Sequence, residues 1–319
     1  MTTFDDSYVR VLKRILDEGV RKHNRTGTDT VSVFCDNIVA EDAQGVEGFP
    51  ISRLRKIHWR GAIIETLWML GLHENDKWYA GLPITNVRYL RDNGVNYWNP
   101  WADENGNLGP VYGEQLVKWK CYRESGVKMS EEDNVPRVER INQVQGVIDK
   151  LRKNPDDRRL VCSMWNPSEL DEMVLPPCHY AHEYYSRIGS DGRRYLDIRW
   201  IQRSCDMPLG IPYNVLQYTI LDKIVALCTN HVPGIVYGCL GDCHVYVDQL
   251  DAVREIVRRY DSGEHLSCQM PKLAISDRLM DVMAKKDMEI DMSDICDDGS
   301  DFSVEKYESL PAIKIPVSV

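Results

Sequence analysis

An α+β fold in a single domain is what the sequence predicts, and three observations predict it. Helical and strand patterns interleave without the regular strand–helix–strand rhythm of a parallel sheet. No internal repeat divides the 319 residues, a length that one large domain accommodates and that buries a substantial core without covalent staples. Apolar residues make up 43% and charged residues 28%, the balance of an ordinary globular protein.

The elements follow in order. Ser7 to Val20 reads as an amphipathic helix, because Val9, Leu12, Ile15 and Leu16 share a face and Asp5, Asp6 and Ser7 offer caps. Arg25-Thr-Gly-Thr-Asp29 is a polar turn, and Thr30 to Ala40, rich in β-branched residues, reads as a strand. Trp59 to Leu72 reads as a mostly buried helix carrying one carboxylate, Glu65. Residues 74–113, rich in Gly, Asn, Pro and Trp, read as a long functional loop region. Val138 to Leu151 has helical spacing, with apolar residues at 141, 144, 147, 148 and 151. Asn154-Pro-Asp-Asp-Arg-Arg159 then turns into a strand, Leu160 to Trp165, and Tyr195 to Gln202 is another. Pro212 to Cys228 and Val245 to Arg259 read as helices. The acidic stretch 286–301, an insertion or loop near 286–305, reads as solvated. The apolar end, Ile313-Lys-Ile-Pro-Val-Ser-Val319, is expected to dock on the body of the protein.

A net charge of −10 argues against nucleic acid as the main partner, while leaving room for a local basic pocket that takes a small anion. No apolar run approaches a membrane span, and the start, Met-Thr-Thr-Phe-Asp-Asp, lacks the basic and apolar regions of a signal peptide. Ten cysteines without a Cys-x-x-Cys pair read as reduced thiols of a cytoplasmic protein. Cys239, Cys243 and His244 crowd together, yet their spacing suits no structural zinc site, and no metal is expected.

Four clusters carry chemistry. In Leu175-Pro-Pro-Cys-His179 a cysteine is fixed between prolines and a histidine at a strand start. It is either a thiolate nucleophile or a buried structural thiol. Gln202-Arg-Ser-Cys-Asp206, followed by Leu209-Gly-Ile-Pro-Tyr-Asn214, packs a cation, a hydroxyl, a carboxylate and an amide together. Arg203 and Ser204 suit a phosphate, and Asn214 offers the paired donor and acceptor that a pyrimidine edge requires. Turn and cap roles would explain Asp206 and Asn214 but not Arg203. Arg25, Arg158 and Arg159 form either a phosphate clamp or a solvated ion-pair network. In Gly241-Asp-Cys-His-Val-Tyr246, His244 and Tyr246 lie two apart on one strand face, where they hold a sugar hydroxyl or each other.

Taken in order, these strings resemble the thymidylate synthase family over nearly the whole chain. The resemblance rests on Arg25-Thr-Gly-Thr, Trp101-Ala-Asp-Glu-Asn-Gly, Leu108-Gly-Pro-Val-Tyr-Gly113, Asp157-Arg-Arg159, Pro177-Cys-His179, Gln202-Arg-Ser-Cys-Asp206, Leu209-Gly-x-Pro-x-Asn214, Gly241-Asp-x-His-x-Tyr246 and Pro316-Val-Ser-Val319. The family includes thymidylate synthases and the pyrimidine hydroxymethylases of phages with modified DNA. It implies a homodimeric α+β domain with a mixed sheet and packed helices. It also implies dUMP as substrate and 5,10-methylenetetrahydrofolate as one-carbon co-substrate.

Carried over residue by residue, Cys178 is the nucleophile that adds to carbon 6 of the pyrimidine. Arg25, Arg203 and Ser204 hold the phosphate with Gln202 beside them, and Arg158 and Arg159 reach in from the second subunit. His244 and Tyr246 hold the 3′-hydroxyl. Glu65, with Tyr112 and His179, manages water and protons at the base. Asp206 meets the pterin, while Trp98, Trp101, Leu209, Gly210 and Tyr213 wall the folate. The C-terminus, with Ser318, closes over it. Asn214 matches uracil, and an aspartate there would match cytosine.

Two endings share every step up to an exocyclic methylene on the pyrimidine. Trp98, Glu65, His179, Asn214 and the C-terminal tail fit a synthase. Ile51-Ser-Arg-Leu-Arg55, Tyr112-Gly-Glu-Gln-Leu-Val117, Cys178-His-Tyr-Ala-His-Glu183, Tyr246-Val-Asp-Gln249 and the pair Asn99-Pro100 depart from the synthase pattern. These departures favour a phage-type dUMP hydroxymethylase, in the cytoplasm of a host cell if the source is viral, with thymidylate synthase as the alternative. A non-catalytic nucleotide- or RNA-binding module is the remaining reading, and the intact Cys178, Glu65, Asp206 and Asn214 weigh against it.

Overall fold

The computed structural model describes residues 3–24, 27–123, 137–286 and 290–317. Helix α1 (Phe4–Glu18) is capped by Thr3, which forms a reciprocal capping box with Asp6. The start therefore lies earlier than Asp5–Ser7 suggested. The Ser7 hydroxyl serves a different purpose, donating to the Val39 carbonyl at 3.0 Å and so tying α1 to the sheet. A short strand β1 (Val20–Lys22) leads to β2 (Thr30–Ala40), which occupies the expected span.

Helix α2 (Arg60–Met69) is buried at every position from Ala62 to Met69, the signature of a core helix. The region 74–113 is more ordered than a loop reading implies. It holds α3 (Arg88–Asp92) and a single helical turn at Asn99–Trp101 before α4 (Gly113–Lys118). Strand β3 (Trp119–Arg123) pairs antiparallel with β4 (Arg137–Ile141). Residues 138–141 are therefore strand, and helix α5 (Gln143–Lys153) begins only after Asn142, whose side chain accepts from the Gln145 amide at 2.9 Å.

Strands β5 (Val161–Ser163), β6 (His179–Ile188) and β7 (Arg194–Asp206) precede the buried helix α6 (Ile211–Cys228). Strand β8 (Val232–Tyr246) absorbs Val245, so the helix expected from 245 starts at Leu250 as α7 (Leu250–Asp261). Strand β9 (Lys272–Ile275), helix α8 (Asp277–Lys285) and strand β10 (Phe302–Glu305) close the chain, with β9 and β10 paired antiparallel. The acidic stretch between α8 and β10 is not simply solvated. Ile290, Met292 and Ile295 are buried, Arg152 donates to the Ile290 carbonyl at 2.7 Å, and buried Asp301 pairs with Arg278. Residues 287–289 lie outside the described residues.

The main sheet runs β1-β2-β8-β7-β6-β5. Neighbours are antiparallel except β7 and β8, which are parallel, making the sheet mixed. Helices α1 and α6 pack on one face. The other face is open and carries Phe34, Val161 and Tyr185, all exposed.

Three irregularities bend the sheet at one level. Cys35 sits at φ 62 in β2, and β6 slips register between His179 and Ala181. In β8, Gly241 lies so close to β7 that an added Cβ would stand 2.9 Å from the Arg203 carbonyl oxygen. The alternation of buried residues slips there too, so Cys239 faces the open side while Cys243 is buried.

Two glycines should respond oppositely to alanine. Gly109 holds φ 73, and a Cβ there would lie 2.1 Å from the Glu172 carbonyl oxygen; Gly109→Ala should cost about 1–3 kcal/mol from the backbone alone. Gly146 is inside α5 with open space around it, and Gly146→Ala should gain about 0.5–1 kcal/mol. Urea midpoints of the two variants check both signs.

Candidate active site

Two chain segments are joined at the head of β6. The Arg203 amide donates to the Cys178 carbonyl at 2.9 Å. Its guanidinium donates to the Pro177 and Pro176 carbonyls at 2.9 and 2.8 Å and lies over the Trp165 ring at 5.3 Å. From the other side, the Cys178 amide donates to Tyr112 Oη at 2.9 Å. Tyr112 itself holds φ 21 at the start of α4, a sparsely populated region that marks functional sites more often than chance. Cys178 is thus held through both its backbone amide and its carbonyl, and the two residues before it are held by the Arg203 guanidinium.

A cavity of about 640 Å3 opens beside it. Cys178, Arg203, Ser204, His244, Tyr246 and Trp101 line it. His244 Nδ1 lies 3.3 Å from Asp242 Oδ1, and Lys22 Nζ donates to Asp242 Oδ2 at 3.0 Å. The His244 hydrogen bond, with Lys22 adding to it, holds the Asp242 carboxyl below the usual range. This end presents cations and hydroxyls suited to an anion and a sugar. Arg25 lies outside the described residues. Arg158 and Arg159 sit exposed after α5, away from this cavity's lining. Neither guanidinium has a hydrogen-bond or ion-pair partner among the described residues.

A second cluster, made of residues outside this cavity's lining, is a chain of side chains that runs in one sense. Trp200 Nε1 donates to Gln202 Oε1 at 3.0 Å, and Gln202 Nε2 to Asn214 Oδ1 at 3.1 Å. Asn214 Nδ2 donates to Gln217 Oε1 at 2.8 Å, and Gln217 Nε2 to the Glu65 carboxylate. An indole only donates and a carboxylate only accepts, so both ends dictate the orientation of Asn214. Tyr97 Oη and Trp98 Nε1 also donate to Glu65, at 2.6 and 2.5 Å. Burial raises the Glu65 carboxyl above its ordinary value despite these donors. Gln217 escaped the sequence reading, although its place three residues after Asn214 on α6 puts the two side by side.

Aromatic rings pack beside Glu65, and of these Trp101 reaches the cavity lining. Trp98 is buried and packs on Trp68, Trp101 and Tyr112 at 5.9, 6.0 and 5.8 Å. Asp206 ends β7 and accepts from the Leu209 amide at 3.0 Å, while its carbonyl accepts from Gly210, forming the turn into α6. Burial raises the Asp206 carboxyl. Tyr213 is half-buried one turn on. Arg55, also missed from sequence, is buried and donates to the Pro208 carbonyl at 2.5 Å. The apolar tail docks as expected. Ile313 and Ile315 pack on the core, and buried Gln249 donates to the Pro316 carbonyl at 2.8 Å while accepting from the Tyr246 amide at 3.2 Å. Ser318 lies outside the described residues. Among the described residues no three His, Cys, Asp or Glu side chains gather to hold a metal ion.

His179 and His182 are both buried on β6. His179 Nδ1 is 2.8 Å from Tyr218 Oη, and its ring packs on Tyr112 at 4.5 Å. Both nitrogens of His182 are buried without a hydrogen-bond partner, at a cost of about 1–3 kcal/mol per atom if nothing satisfies them. Burial pushes both imidazoles down to about 3.

Residues 6–319 match the family model described as thymidylate synthase. Proteins named thymidylate synthase from three strains of Coxiella burnetii are each 36% identical to this chain over 313 residues, covering 98% of this chain and 99% of the relative.

The two neutral imidazoles have a consequence for acid stability. In the fold they take up protons only near pH 3, against 6.5 ordinarily. The unfolded chain binds more protons between those values, so stability falls as pH drops through that window. His182→Phe removes one of the two groups. Its unfolding free energy should decline with falling pH less steeply than wild type, by up to about 1.4 kcal/mol per pH unit, as urea unfolding from about pH 7 to about pH 5 would report.

Proposed function

The chain belongs to the thymidylate synthase family, and from that premise we propose that its turnover ends with water addition, giving 5-hydroxymethyl-dUMP. It is a one-carbon transferase of that family, acting on dUMP with methylenetetrahydrofolate as co-substrate. The folate supplies the carbon. A flat pterin suits the wall of Trp98, Trp101 and Tyr213, and half-buried Asp206 offers it a carboxyl group.

The residues of the chain take the following roles. The Cys178 thiolate forms a bond to carbon 6 of the pyrimidine, and the displaced electrons make carbon 5 the nucleophile. Arg203 and Ser204 bind the phosphate, joined by Arg25, and His244 and Tyr246 bind the 3′-hydroxyl. Asn214 spends one amide hydrogen on Gln217 and one lone pair on Gln202. The donor and acceptor that remain match uracil oxygen 4 and nitrogen 3. Glu65, its carboxyl raised by burial, moves protons at the base with Tyr112 and His179. Leu209 and Gly210 complete the folate wall, and the tail with Ser318 covers it.

A homodimer across the open sheet face accounts for the exposed Phe34, Val161 and Tyr185. It also gives Arg158 and Arg159 a phosphate in the partner's site to bind. Among the described residues no helix is long and apolar enough to cross a membrane, and the cytoplasm suits the proposed substrates.

What supports the ending in hydration is the set of departures from the synthase pattern that the sequence resembles, at 51–55, 112–117, 178–183, 246–249 and Asn99-Pro100, beside an intact pyrimidine-site pattern. Ending in hydride transfer, as in a thymidylate synthase, has its own support: the relatives at 36% identity carry that name.

Mass analysis of the nucleotide product, with folate absorbance, decides between them. A hydroxymethyl product without dihydrofolate is expected, and dTMP with dihydrofolate would overturn the proposal. Cys178→Ala should abolish product by either route, and turnover near wild type would sink the site assignment. Mixing inactive Cys178→Ala and Arg159→Ala homodimers should restore about a quarter of wild-type activity, because random pairing makes half the dimers mixed, each with one complete site. No recovery would argue against shared arginines.

A further inference from the structure

Glu65 is buried in α2, so any proton it moves has to pass through a group that touches it. Three side chains donate to its carboxylate: Trp98, Gln217 and Tyr97. An indole N–H and an amide N–H only donate, so neither Trp98 nor Gln217 takes a proton from Glu65 through that contact. A phenol hydroxyl both donates and accepts. Tyr97 is also the one of the three that reaches solvent, being 46% exposed where Trp98 and Gln217 are buried. We propose that Tyr97 is the relay through which Glu65 exchanges protons with solvent during turnover.

The local backbone puts Tyr97 in that place. The Asn99 amide donates to the Asn96 carbonyl at 3.1 Å, closing a turn whose two central residues are Tyr97 and Trp98. Two consecutive side chains thereby reach one carboxylate, Tyr97 at Oε2 and Trp98 at Oε1. The Tyr97 ring lies over α2 at Gly61, where an added Cβ would stand 3.9 Å from it. Gly61 precedes Glu65 by one helical turn, so the ring runs along the helix to the carboxylate. Burial, with Glu65 and Tyr213 beside it, holds the Tyr97 phenol well above its ordinary value. It stays a neutral hydroxyl, which hands a proton on without being left as a phenolate. The titratable groups around this carboxylate are Tyr97, Tyr112 at the start of α4 and, next to Tyr97, Tyr213 of α6.

The step balances. When carbon 5 loses its hydrogen, the bonding electrons form the exocyclic double bond and expel the co-substrate nitrogen with its own bonding pair. The proton from carbon 5 reaches Glu65. Glu65 passes it to the Tyr97 oxygen while Tyr97 gives its own hydroxyl proton to solvent. Glu65 ends as a carboxylate and Tyr97 as a neutral phenol, as both began.

The inference rests on Glu65 moving protons at the base, as proposed above, and not on which product ends turnover. Release of tritium from 5-tritiated dUMP in the presence of folate reads this step before the two endings part. Failure of the wild-type enzyme to release tritium overturns the reading of the site itself, whatever Tyr97 does. With wild type active, Tyr97→Phe should lower kcat for release about tenfold or more, with KM for dUMP within about twofold. Its rate should climb with imidazole concentration at fixed pH and ionic strength, because a small buffer takes over the relay, while wild type stays flat. The variant also loses a hydrogen bond that holds the Glu65 carboxyl down, so the limb of the pH–rate profile that reports Glu65 should move to higher pH. A kcat within about twofold of wild type, a rate that imidazole does not raise, or a limb that stays in place overturns the inference. Should the phenylalanine variant not fold, Tyr97→Leu takes its place with the same outcomes.

Discussion

The contact on which the rest of the site depends is between Arg203 and the peptide carrying Cys178. One residue supplies a backbone amide to the Cys178 carbonyl and a side chain to both preceding prolines. A cysteine at the end of a proline-rich loop would otherwise wander, since prolines leave few amides to anchor. Because the anchor belongs to β7, the cysteine is held in register with Gln202, Ser204 and Asp206. The same guanidinium remains exposed on one side and lines the cavity, so positioning the thiol and attracting an anion are done by one group.

The bent sheet gives that contact its place. An unbroken alternation would send successive residues of β7 to opposite faces. The irregularities at Cys35, at Gly241 and between His179 and Ala181 lie side by side across β2, β8 and β6. They lie at the level where Cys178 and Arg203 line the cavity, while α1 and α6 pack on the sheet. The opposite face is left open, with Phe34, Val161 and Tyr185 exposed on it.

Much of this was legible in the sequence because the site residues sit in short strings on strands whose ends are sharply marked. The Thr30–Ala40 strand and the helix ending at Cys228 were read nearly to the residue, since each has a period that needs no partner. Residues 138–141 were not, because their strand character comes from pairing with 119–122, a contact no local pattern reports. Val245 was misassigned for the same reason. The acidic stretch misled differently, its buried Ile290, Met292 and Ile295 being outnumbered by charges around them. Gln217 and Arg55 escaped because glutamine and arginine ordinarily face solvent, and only the assembled core shows what they hold.

The amide chain from Trp200 to Glu65 bears on how pyrimidine choice is inherited. Each link has a head and a tail, and the polarity is set by a tryptophan that never accepts at one end and by Glu65, which accepts from Gln217, Tyr97 and Trp98, at the other. Under the proposed function Asn214 reads the base, and its orientation is set by Gln202 and Gln217 on either side of it. A change of base preference is therefore a change of grammar and not of one letter. An aspartate at 214 would set oxygen against the Gln217 oxygen, and turning Gln217 to suit it would set oxygen against Glu65. A lineage moving from uracil to cytosine along this scaffold has to rewrite the sentence from its punctuation inward.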